Sequence, residues 1–299
     1  MNSQPHSGDP LPGFDVRRVA AGDVRINVRS AGDGPPLLLL HGYPQNLLTW
    51  APVAPALAAT HTVVLADLRG YGDSDKPTPE RPQAYSKRQM AADFVSVMSE
   101  LGFDRFAVAA HDRGARVAHR MTLDHPARIT RLALLDIVPT RHVFAHVDRA
   151  LAEAYFHWFL LGTGGGIPEH LIGADPEYWV RSLIDRMTGA GSSLPECAVA
   201  DYVRCFRDPA TVAATCADYR AGASIDLEHD DASFDAGQRI EVPTLILWGE
   251  QSYVGRGYDT MAVWRDYATD VRGSAVPAGH FVIEEAPQRV LEHLVEWFG

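Results

Sequence analysis

No stretch of the 299-residue chain approaches the roughly 18 consecutive apolar residues that a membrane-spanning helix needs, so a transmembrane reading finds no support. The first residues lack the basic patch and apolar core of an export signal, and a cytoplasmic location is the expectation. Cysteine is scarce. Cys197, Cys205 and Cys216 are separated by 8 and 11 residues, which fits neither a CxxC pair nor a zinc knuckle. They read as free thiols of a reducing compartment, packed as small hydrophobes, and neither a metal nor another cofactor is expected. Positive charge is also short. With 27 Lys and Arg against 38 Asp and Glu, the formal charge of −11 would repel nucleic-acid phosphates. A small anionic ligand is not excluded, because local charge can oppose the global sign. Solenoid-period repeats and low-complexity tracts are missing too. Only Met1 to Pro12, polar and rich in Pro and Gly, are expected to be disordered.

What is present is a series of short apolar runs: Pro36–Leu40, Thr62–Asp67, Phe106–Ala110, Leu132–Ile137 and Thr244–Trp248. Continuous runs of this length suit strands buried on both faces, as in a parallel sheet. Helical spacing separates or follows them at Ser86–Leu101, from Asp112 to about Asp124, and at Pro287–Phe298. This alternation predicts an α/β fold with an open, mainly parallel central sheet flanked by helices, whose ligands bind at the carboxyl ends of the strands. Between Arg141 and Ala223 the buried runs stop and aromatics at helical spacing take over, interrupted by the turn Gly162–Gly166. Residues 141–223 are expected to form a helical cap inserted after the sixth strand. Residues 1–140 and 224–299 would form the core.

Ala110-His111-Asp112-Arg113-Gly114 joins a buried strand to a helix. It matches the small-x-nucleophile-x-small turn that pushes its central side chain into a site. A helix cap is the plainer reading of Asp112. Against it stand Leu40-His41-Gly42-Tyr43-Pro44, Asp67 to Ser74 and Ala278-Gly279-His280-Phe281, each at the position an active-site loop would take. Together these motifs resemble the α/β-hydrolase superfamily, with the order nucleophile, acid, histidine preserved. A carboxylate nucleophile attacks an sp³ carbon and leaves an ester, which water activated by His280 then cleaves. Backbone N–H groups of Tyr43 and Arg113 would hold the oxyanion. The acid that orients His280 is expected to be Asp136, since the stretch after the seventh strand offers only Glu250. Arg113 and Arg116 occupy the first turn of the helix after the nucleophile, where cations are unfavourable unless an anion joins them. A pairing of Arg116 with a surface acid is the ordinary alternative. The two together favour a bound substrate carboxylate.

The set Asp112-Arg113-Gly114-Ala115-Arg116, Asp136, His157-Trp158, Asp218-Tyr219-Arg220 and His280 resembles the fluoroacetate (haloacetate) dehalogenases of that superfamily. The resemblance spans nearly the whole chain and implies that His157, Trp158 and Tyr219 bind the departing halide. Singly, each of these aromatics reads as cap packing. The resemblance also implies a small anionic haloacid as substrate and a homodimer. Val143 and Met187 stand where some family members carry aromatics, which implies a roomier pocket open to larger halides or longer acids. Three rivals are considered. An epoxide hydrolase would use cap tyrosines among Tyr155, Tyr178, Tyr202 and Tyr219, but leaves the arginines without an anion. A haloalkane dehalogenase would have tryptophan where Arg113 stands. A non-catalytic binding protein on the same fold would not need Asp112, Asp136 and His280 together.

Overall fold

The computed structural model describes residues 9–79 and 82–299. Most of the expected disordered segment, residues 1–8, lies outside that range. From Asp9 the expectation fails, because Leu11 is fully buried and its N–H donates to Asp9 Oδ1 at 3.1 Å. One apolar side chain with a core to enter is enough to fix the end of a polar segment.

Eight strands form one sheet. They are β1 (Asp15–Ala21), β2 (Val24–Ala31), β3 (Pro36–Leu40), β4 (Thr62–Ala66), β5 (Phe106–His111), β6 (Ile129–Leu135), β7 (Thr244–Gly249) and β8 (Val271–Val276). Their order across the sheet is β1-β2-β4-β3-β5-β6-β7-β8. The pairs β1/β2 and β2/β4 are antiparallel and every other pair is parallel. The five apolar runs read from the sequence all become strands, and they occupy the middle. Leu37 to Leu40 in β3 and Leu132 to Leu135 in β6 are wholly shielded from solvent, as double-sided burial requires. The runs end earlier than the sequence suggests in two places: β4 stops at Ala66 and β6 at Leu135, so Asp67 and Asp136 sit in the loops beyond.

Helices cover both faces. Lys87–Glu100 starts at Ser86, whose hydroxyl accepts from the Gln89 N–H. The terminal helix Pro287–Phe298 buries Val290, Leu294 and Trp297, the one-face spacing of an amphipathic helix. Between β6 and β7 the chain has no strand. Eight helices follow one another there, from Thr140–Ala145 to Ile225–Asp235. The last of these packs back on the core, where Arg120 donates to Ser233 Oγ at 3.0 Å.

Candidate active site

The turn at Asp112 follows directly from its neighbours. Asp112 takes φ 44°, and Asp136 takes φ 51°; among the described residues no other non-glycine side chain has positive φ. Such backbone costs about 1–3 kcal/mol and persists where the surroundings enforce it. The surroundings here leave no slack. A Cβ at Gly114 would lie 2.4 Å from the His41 carbonyl oxygen, and one at Gly42 would lie 2.6 Å from Asp112 Cβ. The Gly114 N–H donates to that same carbonyl at 2.9 Å, which ties the helix Asp112–Asp124 to the end of β3.

The carboxylate of Asp112 is buried, and Tyr43 N–H donates to its Oδ2 at 2.9 Å. The Arg113 N–H belongs to the first turn of the helix and has no intrahelical acceptor. The Tyr43 donor thus flanks the carboxylate directly. Burial alone would raise the pKa of Asp112, but the charges of His280, His111, Arg116 and Arg113 outweigh it and bring the group to about 2. It is ionised at any ordinary pH.

His280 Nε2 lies 4.0 Å from Asp112 Oδ2, and its Nδ1–H donates to Asp136 Oδ2 at 2.6 Å. Asp136 spends its other oxygen on the Gly249 N–H at 2.9 Å and the Ser252 hydroxyl at 2.7 Å. Asp136 is therefore the acid partner of the histidine. Glu250 is exposed at the rim and plays no part in that contact. Burial lowers the His280 pKa, but the bond to Asp136 and the charges of Asp136 and Asp112 more than reverse this, and the net shift is upward.

The two arginines differ in a way that helix-terminus reasoning does not anticipate. Arg113 is already paired: its Nε and Nη2 donate to Asp218 Oδ2 and Oδ1 at 2.9 and 2.8 Å. Asp218 also accepts from the Tyr71 hydroxyl at 2.7 Å and contacts Lys87 Nζ. Arg116, buried as well, gives one nitrogen to the Val138 carbonyl and the Thr140 hydroxyl, both at 3.0 Å, and forms no ion pair among the described residues. Its Nε has no hydrogen-bond partner among the described residues. The surface-acid alternative for Arg116 fails.

The inserted helices bring His157, Trp158 and Tyr219 together above this turn. The ring of His157 lies 5.9 Å from that of Tyr219, and Trp158 lies 6.1 Å from Tyr219. The guanidinium of Arg116 sits 4.5 Å over Trp158, and that of Arg113 4.2 Å over Tyr219. His157 Nδ1 and the Tyr219 hydroxyl are buried without a hydrogen-bond partner among the described residues. Burial drives the His157 pKa down to about 3 and lifts that of Tyr219 well above its usual range, so the imidazole is neutral and the phenol keeps its proton.

Of the rival tyrosines, Tyr178 is 71 % exposed and Tyr202 donates to Glu284, which leaves Tyr155 and Tyr219 beside the site. Val143 is buried, and the carbonyl of Met187 accepts from the His280 N–H at 2.9 Å. A cleft of about 870 Å³ opens beside Tyr155, Met187 and Tyr253 and reaches His280 from outside. Asp112, Arg113 and Arg116 do not line it, so the carboxylate lies deeper.

Sequence reasoning missed Asp218, Lys87, Tyr71 and Ser252 as supports of the site. Asp218 stands in the motif Asp218-Tyr219-Arg220 and Tyr71 in the stretch Asp67 to Ser74, but nothing in either motif assigns them this role. Nothing in the sequence marks Lys87 as buried. The motif Asp67 to Ser74 is mainly structural: Asp67 accepts from Leu47 N–H and Asp73 N–H at 2.8 and 2.9 Å, and Arg69 grips Asp93 with two bonds of 2.7 Å.

Comparison with known proteins agrees with this geometry. Residues 35–287 match the family model described as the alpha/beta hydrolase fold. A fluoroacetate dehalogenase from Burkholderia sp is 44% identical over 96% of this chain and 94% of its own length. A soluble epoxide hydrolase from Corynebacterium sp. (strain C12) is 33% identical over 92% of this chain and 94% of its own. Among solved structures, a candidate alpha/beta hydrolase from Nostoc sp PCC 7120 superposes with a TM-score of 0.92 at 49% identity, covering 95% of this chain and 97% of that one. A candidate epoxide hydrolase from Pseudomonas aeruginosa, a mutant of which was solved with bound MFA, gives a TM-score of 0.90 at 45% identity over 96% and 97% of the two chains. The chain is a hydrolase of the α/β-hydrolase superfamily and belongs, within it, to the fluoroacetate dehalogenase family.

Proposed function

We propose that the chain hydrolyses a haloacetate, such as fluoroacetate or chloroacetate, to glycolate and halide. The observation that carries this reading is the set of buried polar atoms without partners around an ionised carboxylate: the donors Arg116 Nε and the Tyr219 hydroxyl, and His157 Nδ1, which donates in the tautomer that carries its hydrogen there. Buried polar groups without partners are costly in a finished core, and a ligand that accepts hydrogen bonds relieves that cost. A haloacetate supplies acceptors at both ends.

The substrate carboxylate would bind Arg116 first, with the remaining Nη1 of Arg113 as a second donor. An oxygen of Asp112 then attacks the α-carbon in line, the carbon–halogen bond breaks, and the halide departs toward His157, Trp158 and Tyr219. Fluoride is strongly hydrated, so fixed donors must stand in for its water as charge develops. The ester left on Asp112 is cleaved by a water in the gap between His280 and the ester carbon. His280 takes the proton from that water, and Tyr43 and Arg113 N–H hold the oxyanion. Collapse expels glycolate, whose oxygen takes the proton back from His280; Asp112 is left as its acid and, with a pKa of about 2, gives the water's second proton to solvent to return as a carboxylate. The helices of residues 141–223 would act as a lid that excludes bulk water.

An epoxide hydrolase remains the second reading, because the free Tyr219 hydroxyl would also serve a strained ring oxygen and several relatives are named as such enzymes. Halide release from fluoroacetate and chloroacetate, run beside diol formation from styrene oxide, separates the two. Halide without diol supports the proposal. Diol without halide contradicts it, and turnover of neither favours a binding protein.

A further inference from the structure

Behind the nucleophile turn, a line of buried polar groups runs from the inserted helices to the main chain of His280. The Tyr202 hydroxyl donates to Glu284 Oε1 at 2.9 Å, and the Thr49 hydroxyl donates to Oε2 at 3.2 Å. Oε2 also meets the side-chain amide of Gln45, whose other end lies 3.1 Å from His111 Nδ1. His111 Nε2 in turn lies 2.8 Å from the carbonyl oxygen of His280. Glu284, Gln45 and His111 are all buried.

The hydrogens along this line must be mutually consistent. A neutral imidazole has one N–H and one bare nitrogen. If Nε2–H donates to the His280 carbonyl, then Nδ1 is bare and needs the NH2 end of Gln45. The two ends of an amide have the same shape, so their partners decide which faces where. The carbonyl end of Gln45 then faces both the Thr49 hydroxyl, at 2.8 Å, and Glu284 Oε2. Thr49 can turn its hydrogen to that carbonyl, but at Glu284 two acceptors would confront each other unless Glu284 carries a proton. The alternative puts that proton on His111, leaving a buried imidazolium and a buried carboxylate separated by an amide. Two neutral groups cost less than two separated charges in a core. Burial acts in the same direction on both, taking His111 down to about 4 and Glu284 up to about 8.

We propose that Glu284 is a protonated positioning residue for His280: its carboxylic O–H, relayed through Gln45 and His111, fixes the His280 main chain, and loss of that proton releases it. The proposal rests on the reading of His280 as the base that activates water. When Glu284 ionises, the NH2 end of Gln45 turns to the new carboxylate. Nδ1 of His111 then faces a carbonyl and takes the ring hydrogen, and the bond to the His280 carbonyl is lost. Other charges bear on this switch at both ends: His280, Asp112 and Asp136 act on His111. Tyr202 faces Glu284 from the inserted helix Glu196–Phe206 with Asp201 beside it, Thr49 and Gln45 face it from the segment after β3, and Glu285 adjoins it in the chain.

Glu284→Gln tests this, because its amide donates where a protonated carboxyl donates yet never ionises. In the wild type, ester hydrolysis should fall above pH 8, approaching about tenfold per pH unit. In Glu284→Gln that alkaline limb should vanish, whereas Glu284→Ala should be slow across the range. A limb unchanged in Glu284→Gln, or absent from the wild type, overturns the proposal. Unfolding stability offers a second readout that needs no substrate. The pKa of Glu284 in the fold, about 8, exceeds its ordinary 4.5. Its contribution to stability is therefore full below pH 4.5, declines as pH rises to about 8 and is level beyond. The stability difference between wild type and Glu284→Gln should follow that curve, and a difference flat with pH overturns the proposal. A chain that releases no halide but follows the curve would contradict the functional reading while leaving the proton on Glu284.

Discussion

Arg113 and Arg116 stand three positions apart on one helix turn, yet the structure gives them different work. Asp218 and its bonds neutralise and fix Arg113, while Arg116 keeps an unpaired Nε and no acidic partner among the described residues. The larger loss should therefore follow replacement of Arg116. Arg116→Leu is expected to lower kcat/KM for a haloacetate by about a hundredfold or more, since a buried charge-assisted contact of this kind is worth about 2–5 kcal/mol. Turnover of a neutral substrate, measured in the same preparation, should change far less. If His280 is the base of the proposed mechanism, it sets the pH dependence on the acid side. Its pKa is raised above the ordinary 6.5, and it accepts a proton only when neutral. Steady-state turnover should thus fall as pH drops, with a midpoint above 6.5. Asp112 remains ionised throughout that range, so a stoichiometric burst of halide should persist in acid while turnover stops. Rapid-mix halide assays against steady-state rates at each pH check both statements.

At the scale of elements, the central strands were legible because burial on both faces leaves an uninterrupted apolar run. The sequence did not reveal β1, β2 and β8. β1 and β8 lie at the sheet margins and expose successive residues, as in Arg17-Arg18 of β1 and Arg272-Gly273 of β8. Their pattern is diluted by charge and glycine, and no continuous run survives to be read. The turn at Asp112 was legible for a different reason: its geometry permits so few residue types that the pattern is short and rigid. Gly114→Val tests that rigidity. The added side chain would meet the His41 carbonyl oxygen and Leu40 Cβ, both within 3 Å of the Cβ position. The expected outcome is loss of the folded state or a fall in stability of about 3 kcal/mol or more, read by denaturant unfolding. A variant as stable as wild type would mean that the turn is looser than the contacts indicate.

Across the whole molecule, the inserted helices are fastened to the core by polar groups that also serve the site. Asp218 on the helix Pro209–Gly222 meets Arg113 and Lys87 of the core, and Trp179 Nε1 donates to the Tyr43 hydroxyl at 2.6 Å. The candidate nucleophile, its histidine and its acid were legible because the chemistry dictates both their types and their order. These fasteners were not, since pairing between residues about 100 positions apart leaves no local pattern. Asp218→Ala would strand two buried cations, and it should cost about 3–5 kcal/mol in denaturant unfolding as well as activity. An unchanged unfolding midpoint would show that the inserted helices dock independently of this cluster.

The claim on which the rest depends is that Asp112 attacks carbon and carries the substrate as an ester. His280→Ala removes the base for the second step and leaves the first intact, so incubation with chloroacetate or fluoroacetate should trap the intermediate. Intact-protein mass spectrometry, followed by peptide mapping, should find one added carboxymethyl group, on Asp112, with one halide released per chain. An unmodified protein, or a label on any other residue, would contradict the claim.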